Sequence, residues 1–365
     1  MNETMVRKIT LSRPKNALIK PSSQDGRLTV SILIPCHNEE KMIAQTLEAC
    51  FRQVRPADEI IVINDGSTDG TADILRSFAD RIKIVTVMPK TGNKSRAQEI
   101  GLQFVEGDVF IALDGDTLLH PSFVDRVAKY FRDEKAIAFA GSIESLKYNW
   151  ITACRAMDYF LGQTLYKRAQ SDLGFIFVIP GCAGAFRTAV FKKLIRFEHD
   201  TLTEDLDFTY KFHGAGIPIY FDAQAIVYTQ DPPTLGSYTN QMRRWYAGGW
   251  QNFLKHFSII ENPKAALILS FMYIEGLFSA TTLFLLPFLS LITFVYTLCV
   301  FVIFSVTLGM ITAISLKRSD VLFSSFLYPI FTIINAWIFL EQFFLEVILR
   351  KKELIWFHPE RTPII

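Results

Sequence analysis

From residue 28 to about residue 140 the chain alternates between short apolar runs and segments of helical character. The runs are residues 28–35, 59–64, 82–88 and 108–113. Each is nearly continuous, as strands covered by helices on both faces must be. Helices are expected between them, over residues 39–52, 71–78 and 95–105. Such alternation predicts a parallel α/β sheet with right-handed crossovers, whose ligands bind beyond the C-terminal strand ends. Residues 141–230 are less regular. They predict a helix over 150–168, an apolar run at 175–180, a small-residue stretch at 181–185 and a strand over 217–227. Residues 237–257 then read as an amphipathic helix rich in aromatics and Arg, suited to a membrane interface.

The pattern changes after Lys264. About fifty residues, 265–316, carry one charge, Glu275, against the roughly twenty apolar residues that one span needs. Two membrane helices are expected there, breaking near residues 287–290. After Lys317 and Arg318 a further uncharged run, 321–340, is long enough for a third. With the front domain in the cytosol, two spans return Lys317 and Arg318 to the cytosol, as the positive-inside rule asks. A third places Arg350, Lys351 and Lys352 outside, against that rule, unless the third segment is re-entrant; three spans are the expectation. The domains are therefore a polar tail (1–28), an α/β domain (29–235), an interfacial helix (236–263), membrane helices (264–349) and a C-terminal tail (350–365).

Charge and cysteine content narrow the function classes. The formal net charge is +2, and no basic stripe with interleaved aromatics is present, so nucleic acid is not the expected partner. The five cysteines form no CxxC pair and no metal spacing, and read as reduced, buried thiols. The first 28 residues are polar, without the apolar region of a signal peptide. Arg7, Lys8, Arg13, Lys15 and Lys20 suit an anionic membrane surface, though a plain disordered tail accounts for them more simply.

Five polar clusters carry the candidate chemistry. Pro35-Cys36-His37-Asn38-Glu39-Glu40 ends the first strand, and Asn64-Asp65-Gly66-Ser67-Thr68-Asp69-Gly70 ends the second. Alone, the second is accounted for by a β-α turn with Asp69 capping the next helix. Asp114-Gly115-Asp116 follows the fourth strand, and two carboxylates there suit a hard divalent cation shared with phosphate oxygens. Thr203-Glu204-Asp205 opens a helical stretch. Thr203 as N-cap is the plain reading, whereas a helix N-terminus also favours the ionised carboxylate that a general base requires. Gln241, Arg244 and Trp245, at i, i+3 and i+4, share a helix face that can hold a diphosphate and stack on a sugar ring. An interfacial belt of aromatic and basic residues is the plain alternative.

Together and in this order, the clusters resemble the inverting family 2 glycosyltransferases carrying the D, DxD, TED, QxxRW series. These include cellulose, chitin, hyaluronan and poly-N-acetylglucosamine synthases, and ceramide glucosyltransferases share much of the series. The resemblance spans about residues 30–250 and implies a GT-A (Rossmann-like) nucleotide-sugar domain followed by an all-α transmembrane region. It implies a UDP-sugar donor, with Asp65 on the nucleoside, Pro35 and Glu39 beside the uracil, and Lys94 near the donor. Asp114 and Asp116 would serve ribose and an Mg²⁺ or Mn²⁺ ion, Asp116 being the direct ligand. Asp205 would be the base. Gln241 and Arg244 would hold the diphosphate, and Trp245, Glu204, Gly181 and Cys182 would frame a glycan or lipid acceptor. A multi-pass protein of the cell membrane with a cytoplasmic catalytic domain follows, making a β-linked polysaccharide of GlcNAc or glucose. A glycolipid synthase adding one sugar is the alternative, and a transporter or inactive scaffold leaves the ordered acidic motifs without a purpose. No apolar span precedes the first strand and the membrane region is short, so a homo-oligomer or an export partner is expected to complete any route for a polymer.

Overall fold

The structure, a computed structural model, describes residues 8–12, 27–351 and 354. The front domain comprises β1 (Lys8–Ser12), β2 (Val30–Cys36), α1 (Ile43–Phe51), β3 (Glu59–Asp65), α2 (Thr71–Ser77), β4 (Lys83–Met88), α3 (Lys94–Leu102), β5 (Val109–Ala112), β6 (Thr117–Leu119), α4 (Phe123–Tyr130) and β7 (Ala138–Ser145). It continues through α5 (Trp150–Leu161), α6 (Lys167–Leu173), β8 (Gly184–Arg187), α7 (Thr188–Val190), α8 (Glu204–Gly214) and β9 (Ile219–Thr229). The remainder is helical: α9 (Leu235–Lys255), α10 (Pro263–Ser270), α11 (Gly276–Leu289), α12 (Leu291–Leu316), α13 (Ser319–Ser324) and α14 (Tyr328–Phe343).

The nine strands form one sheet in the order β1-β4-β3-β2-β5-β8-β7-β9-β6. The four runs legible as buried strands are its parallel half, β4-β3-β2-β5. Their side chains alternate between two cores. Ile32, Ile34 and Val62 face one with Phe123, whereas Leu33, Ile61 and Ile63 face the other with Phe186 and Phe212. This is the period-2 sorting of a strand covered on both sides.

Beyond β5 the sheet is mixed, with only β7 and β9 parallel. Strand β8 lies antiparallel between β5 and β7, and β6 is antiparallel to β9. Strand β8, Gly-Ala-Phe-Arg, is too short and too small in its side chains to read as a strand. The tail expectation also changes: β1 pairs antiparallel with β4 at the sheet edge. Its Ile9 and Leu11 alternate with polar neighbours, and Leu11 packs against the second core. Arg7, Arg13, Lys15 and Lys20 lie outside the described residues, as does most of the 350–365 tail.

Three helices are long and apolar enough to cross a membrane, Pro263–Leu289, Leu291–Leu316 and Tyr328–Ile348, and they mark a membrane protein. The break between the first two falls at Ser290, whose side chain caps α12 by accepting from Thr293 N. The third span begins later than the apolar run suggested. Residues 321–324 belong to α13, which packs on α5 and α12. Helix α14 starts afresh with Pro329 in its first turn, where the missing N–H costs nothing.

Helix α9 joins the two halves. Its Tyr238 and Met242 enter a cluster with Met157 of α5, Leu308 of α12 and Phe331 of α14. Trp250, three turns on, packs with Leu206 and Tyr210 of α8 and Leu269 of α10. Arg243 pairs with Glu341 at 2.7 Å, and the Tyr238 hydroxyl donates to Asn335 Oδ1 at 2.6 Å.

Candidate active site

The loops after β2 and β3 are tied together before any ligand is considered. Glu39 N donates to Thr71 Oγ1, Thr68 N to Asn38 Oδ1 and Gly70 N to Glu40 Oε2, each at 2.8 Å. Asp69 accepts from Thr71 N and, across the gap, from Glu40 N, but the N-cap of α2 is Gly70, so Asp69 braces the turn and does not cap the helix as expected. Asp65 is buried, and both carboxylate oxygens accept from Thr91, from its N–H and its hydroxyl, at 2.6 Å. It thereby fixes the loop that presents Lys94 as the first residue of α3.

Lys94 is the centre of the charge arrangement. Its ammonium lies 2.6 Å from Asp114 Oδ1 and 2.9 Å from Glu204 Oε1, so one cation bridges the DxD and TED clusters. Burial opposes its charge, but Asp114 and then Glu204 outweigh that and hold its pKa well above the usual value. Asp116 is 3% exposed, and its Oδ1 accepts from the Thr117 hydroxyl. Asp205 Oδ1 accepts from Leu206 N and its Oδ2 from Gly181 N at 3.4 Å. Burial, then the neighbouring Glu204, push its pKa up to about 6, while Lys94 and Arg244 draw it back. A carboxylate poised near neutrality has a pKa matched to accepting a proton.

Thr203 stands at the N-cap of α8, yet its side chain makes no capping bond. Its hydroxyl and carbonyl instead accept from Asn252 Nδ2 of α9, both at 3.0 Å. Gln251 Oε1 accepts from Leu202 N, and Gln251 Nε2 donates to Glu346 Oε1. The helix backbone must come close for this: a Cβ on Gly248 would lie 2.4 Å from Thr203 Oγ1. Gly248, Gln251 and Asn252 were not singled out from sequence, because their partners lie about fifty positions away. Their spacing after Gln241 and Arg244 is the one available hint.

A second unforeseen group backs Trp245. The guanidinium of Arg155 lies 5.1 Å from the Trp245 ring and 4.3 Å from that of Tyr159. It bonds Asp231 and Asp158, each at 3.1 Å, and Asp158 accepts from the Tyr328 hydroxyl at 2.6 Å. Trp245 thus rests on a buried polar network anchored to α14.

All thirteen candidate residues line one cavity of about 920 Å³: Pro35, Glu39, Asp65, Lys94, Asp114, Asp116, Gly181, Cys182, Glu204, Asp205, Gln241, Arg244 and Trp245. A Cβ on Gly181 would sit 3.2 Å from Lys94 Nζ and 3.5 Å from Asp205 Cβ, so the small residue keeps this wall open. Cys182 is buried beside it, and burial pushes its thiol pKa well up, leaving it uncharged. The cavity does not end at the sheet. It continues between α11 and α14, where Gly276, Ser279, Ala280, Thr332, Asn335 and Ala336 form its wall.

The donor set at Asp114 and Asp116 fits a divalent cation. Two carboxylates at one strand end, one already drawing an ammonium, leave room for phosphate oxygens to complete an oxygen shell. A second acidic group, Glu198, Asp200 and Asp207, has its oxygens close enough to share an ion. Its charge is already met by Lys211 and Lys255, and Asp207 also takes His256 at 2.8 Å. That group reads as a salt-bridge network.

The sequence profile described as glycosyltransferase like family 2 matches residues 27–248. A probable glycosyltransferase of Bacillus subtilis, YdaM, is 28% identical over 91% of this chain and 86% of its own. A poly-beta-1,6-N-acetyl-D-glucosamine synthase of Staphylococcus epidermidis is 27% identical over 94% of this chain and 81% of its own. Among solved structures, a mannosyltransferase of Pyrobaculum calidifontis in complex with GDP-Man and Mn²⁺ superposes with a TM-score of 0.62. It is 18% identical, over 92% of this chain and 90% of that one, a likeness of fold.

Proposed function

The chain belongs to glycosyltransferase family 2, and from that premise we propose that it extends a β-linked polysaccharide with GlcNAc or glucose from a UDP-sugar at the membrane. One observation carries the polymer: the cavity runs from the DxD and TED carboxylates into the membrane helices, past Ser279, Thr332 and Asn335. Hydroxyls and an amide beside glycine and alanine suit a passing glycan, which needs both hydrogen bonds and room. An acyl chain needs room but no hydrogen bonds. The relatives named for poly-N-acetylglucosamine synthesis point the same way.

In this reading Pro35, Glu39 and Asp65 border the nucleoside, and Gln241 and Arg244 hold the diphosphate. Asp205 takes the proton of the acceptor hydroxyl, which attacks C1 from the face opposite the leaving UDP and inverts the anomeric centre. Arg244 stabilises the charge gathering on the leaving diphosphate, which in such transfers is a large share of the catalysis. Asp116 and Asp114 would hold Mg²⁺ or Mn²⁺, which supplies electrophilic stabilisation to phosphate oxygens when bound. Trp245, with Glu204, Gly181 and Cys182, frames the acceptor sugar, its indole stacking on the pyranose face. The catalytic domain faces the cytoplasm, where nucleotide sugars are held, and the protein crosses the cell membrane three times. A homo-oligomer or an export partner completes the route outward.

Membranes incubated with a panel of radiolabelled UDP-sugars, followed by product sizing, test the reading. A ladder that a hexosaminidase or glucanase degrades supports it. A single organic-soluble glycolipid band, unchanged by long incubation, overturns the polymer.

A further inference from the structure

One wall of the cavity has no role in the scheme above. It is the helical stretch from α5 to α6, joined by a π-helical turn at Gly162–Tyr166. Tyr159, Gln163, Tyr166, Lys167 and Gln170 all line the cavity from this stretch. The wide turn matters because it inserts an extra residue and re-aims those that follow, a distortion common at functional sites.

Two polar groups on this wall lack what they need. Gln163 Oε1 is buried with no hydrogen-bond partner among the described residues. Lys167, one turn on, is only 5% exposed, and among the described residues its Nζ makes no hydrogen bond or ion pair. Its Nζ lies 5.4 Å from the aromatic ring of Phe221, a cation–π contact that satisfies none of its N–H donors. Burial brings the Lys167 pKa down to about 7, with the nearby Asp205 opposing the fall. Gln170 shows the contrast, since its Oε1 accepts from Phe177 N and is spent on the fold. A buried acceptor without a partner destabilises the fold. One helical turn on, Lys167 also lines the cavity, on the wall that approaches Asp205.

We propose that Gln163 and Lys167 form an acceptor subsite that grips neighbouring oxygens of a neutral sugar and sets its reacting hydroxyl against Asp205. One sugar hydroxyl donates to Gln163 Oε1. The Lys167 nitrogen donates to a second oxygen, a hydroxyl or an acetamido carbonyl. Lys167 and Gln163 are thus acceptor-specificity residues, separate from the donor contacts at Asp65, Lys94 and Arg244. The inference rests on the transferase reading above, so its test includes a step that needs no turnover.

Full-length protein in nanodiscs, with UDP present, is titrated with a β-1,6-linked N-acetylglucosamine trisaccharide. Binding is followed by ligand-observed NMR on an Asp205→Asn background, and acceptor KM is followed in the otherwise unaltered enzyme. Lys167→Met and Gln163→Leu each weaken trisaccharide binding and raise acceptor KM on the order of tenfold, as loss of a charged or buried hydrogen bond does. UDP affinity, read by calorimetry, stays within about twofold of the parent. Lys167→Met also melts at or above the parent temperature, because burial disfavours the charged ammonium that has been removed. Trisaccharide binding within twofold of the parent in both variants overturns the proposal. So does a loss of UDP affinity equal to the loss of trisaccharide affinity. Asp205→Asn protein that binds the trisaccharide tenfold more tightly than its Lys167→Met derivative, while the enzyme with Asp205 intact turns over no UDP-sugar, supports the subsite and sinks the transferase reading instead.

Discussion

Asp205 and Asp207 lie two residues apart near the start of α8, and their surroundings push them in opposite directions. Asp205 faces the cavity, where burial and Glu204 hold its proton on until about pH 6. Asp207 is 1% exposed, but His256, Lys211 and Lys255 all donate to it and, against burial, carry its pKa far below the carboxylate range. One helix therefore carries a carboxylate left short of partners and another with a full set. The first can take a proton in a reaction and costs stability when ionised, and the second is fixed in charge and holds the fold. Acidity here follows from what the rest of the chain brings to each turn of the helix, and little from the helix itself.

Substituting each aspartate separates the two cases most sharply. Asp205→Asn should reduce turnover by about 10²–10⁴-fold, the usual share of a general base, with UDP-sugar affinity nearly intact by calorimetry. Its melting temperature at pH 7 should equal or exceed the parent's, since an ionised, under-compensated carboxylate has been removed. Loss of donor affinity in this variant would contradict the assignment. Asp207→Asn should do the reverse. Breaking a buried, paired charge costs about 3–5 kcal/mol, so scanning fluorimetry should show a lower melting temperature, while turnover per folded molecule changes little.

Gly248→Ala probes the contact between α9 and the TED loop. The added methyl collides with Thr203, and overpacking of this kind costs about 1–3 kcal/mol. The displaced Thr203-Glu204-Asp205 turn should lower kcat more than it raises donor KM. A variant with parental kcat would show that Asn252 holds the turn without the close approach.

The smallest effects come from pH. Activity should rise with pH through about 6 as Asp205 loses its proton, and kcat/KM against pH should show that limb. For stability the signs differ. Asp205, with a raised folded pKa, destabilises the fold increasingly as pH climbs from about 4. Asp207, with a depressed one, stabilises the fold above about pH 4, and that contribution is lost as pH falls toward its folded value. Melting curves of the two Asn variants should therefore diverge from the parent on opposite sides of that window.

The legible half of the molecule was the half written in short-range pattern. Buried parallel strands announce themselves by unbroken apolar runs, so β2, β3, β4 and β5 and the clusters at their ends could be placed. Strands β1 and β8 could not, since a five-residue alternation and a Gly-Ala-Phe-Arg stretch carry too little signal. The third membrane helix was misplaced because hydrophobicity alone does not show the chain restarting at Pro329. The polar residues behind the site stayed hidden for a different reason. Arg155, Asp231 and Asn252 have no unusual local context, and their meaning lies in partners dozens of positions away.

The bridges from α9 to α14, Arg243 to Glu341 and Tyr238 to Asn335, bear on how this enzyme can be taken apart. A fragment that keeps residues 27–248 retains every acidic motif and all of the sheet but its edge strand β1. It discards Asn252, which positions Thr203, the Tyr328 anchor beneath Trp245, and the cavity wall contributed by α11 and α14. The membrane helices are therefore no detachable tether. They are walls of the same room, and a sugar-transferring module excised at the bilayer surface, or grafted onto another anchor, would carry the alphabet of the active site without its grammar.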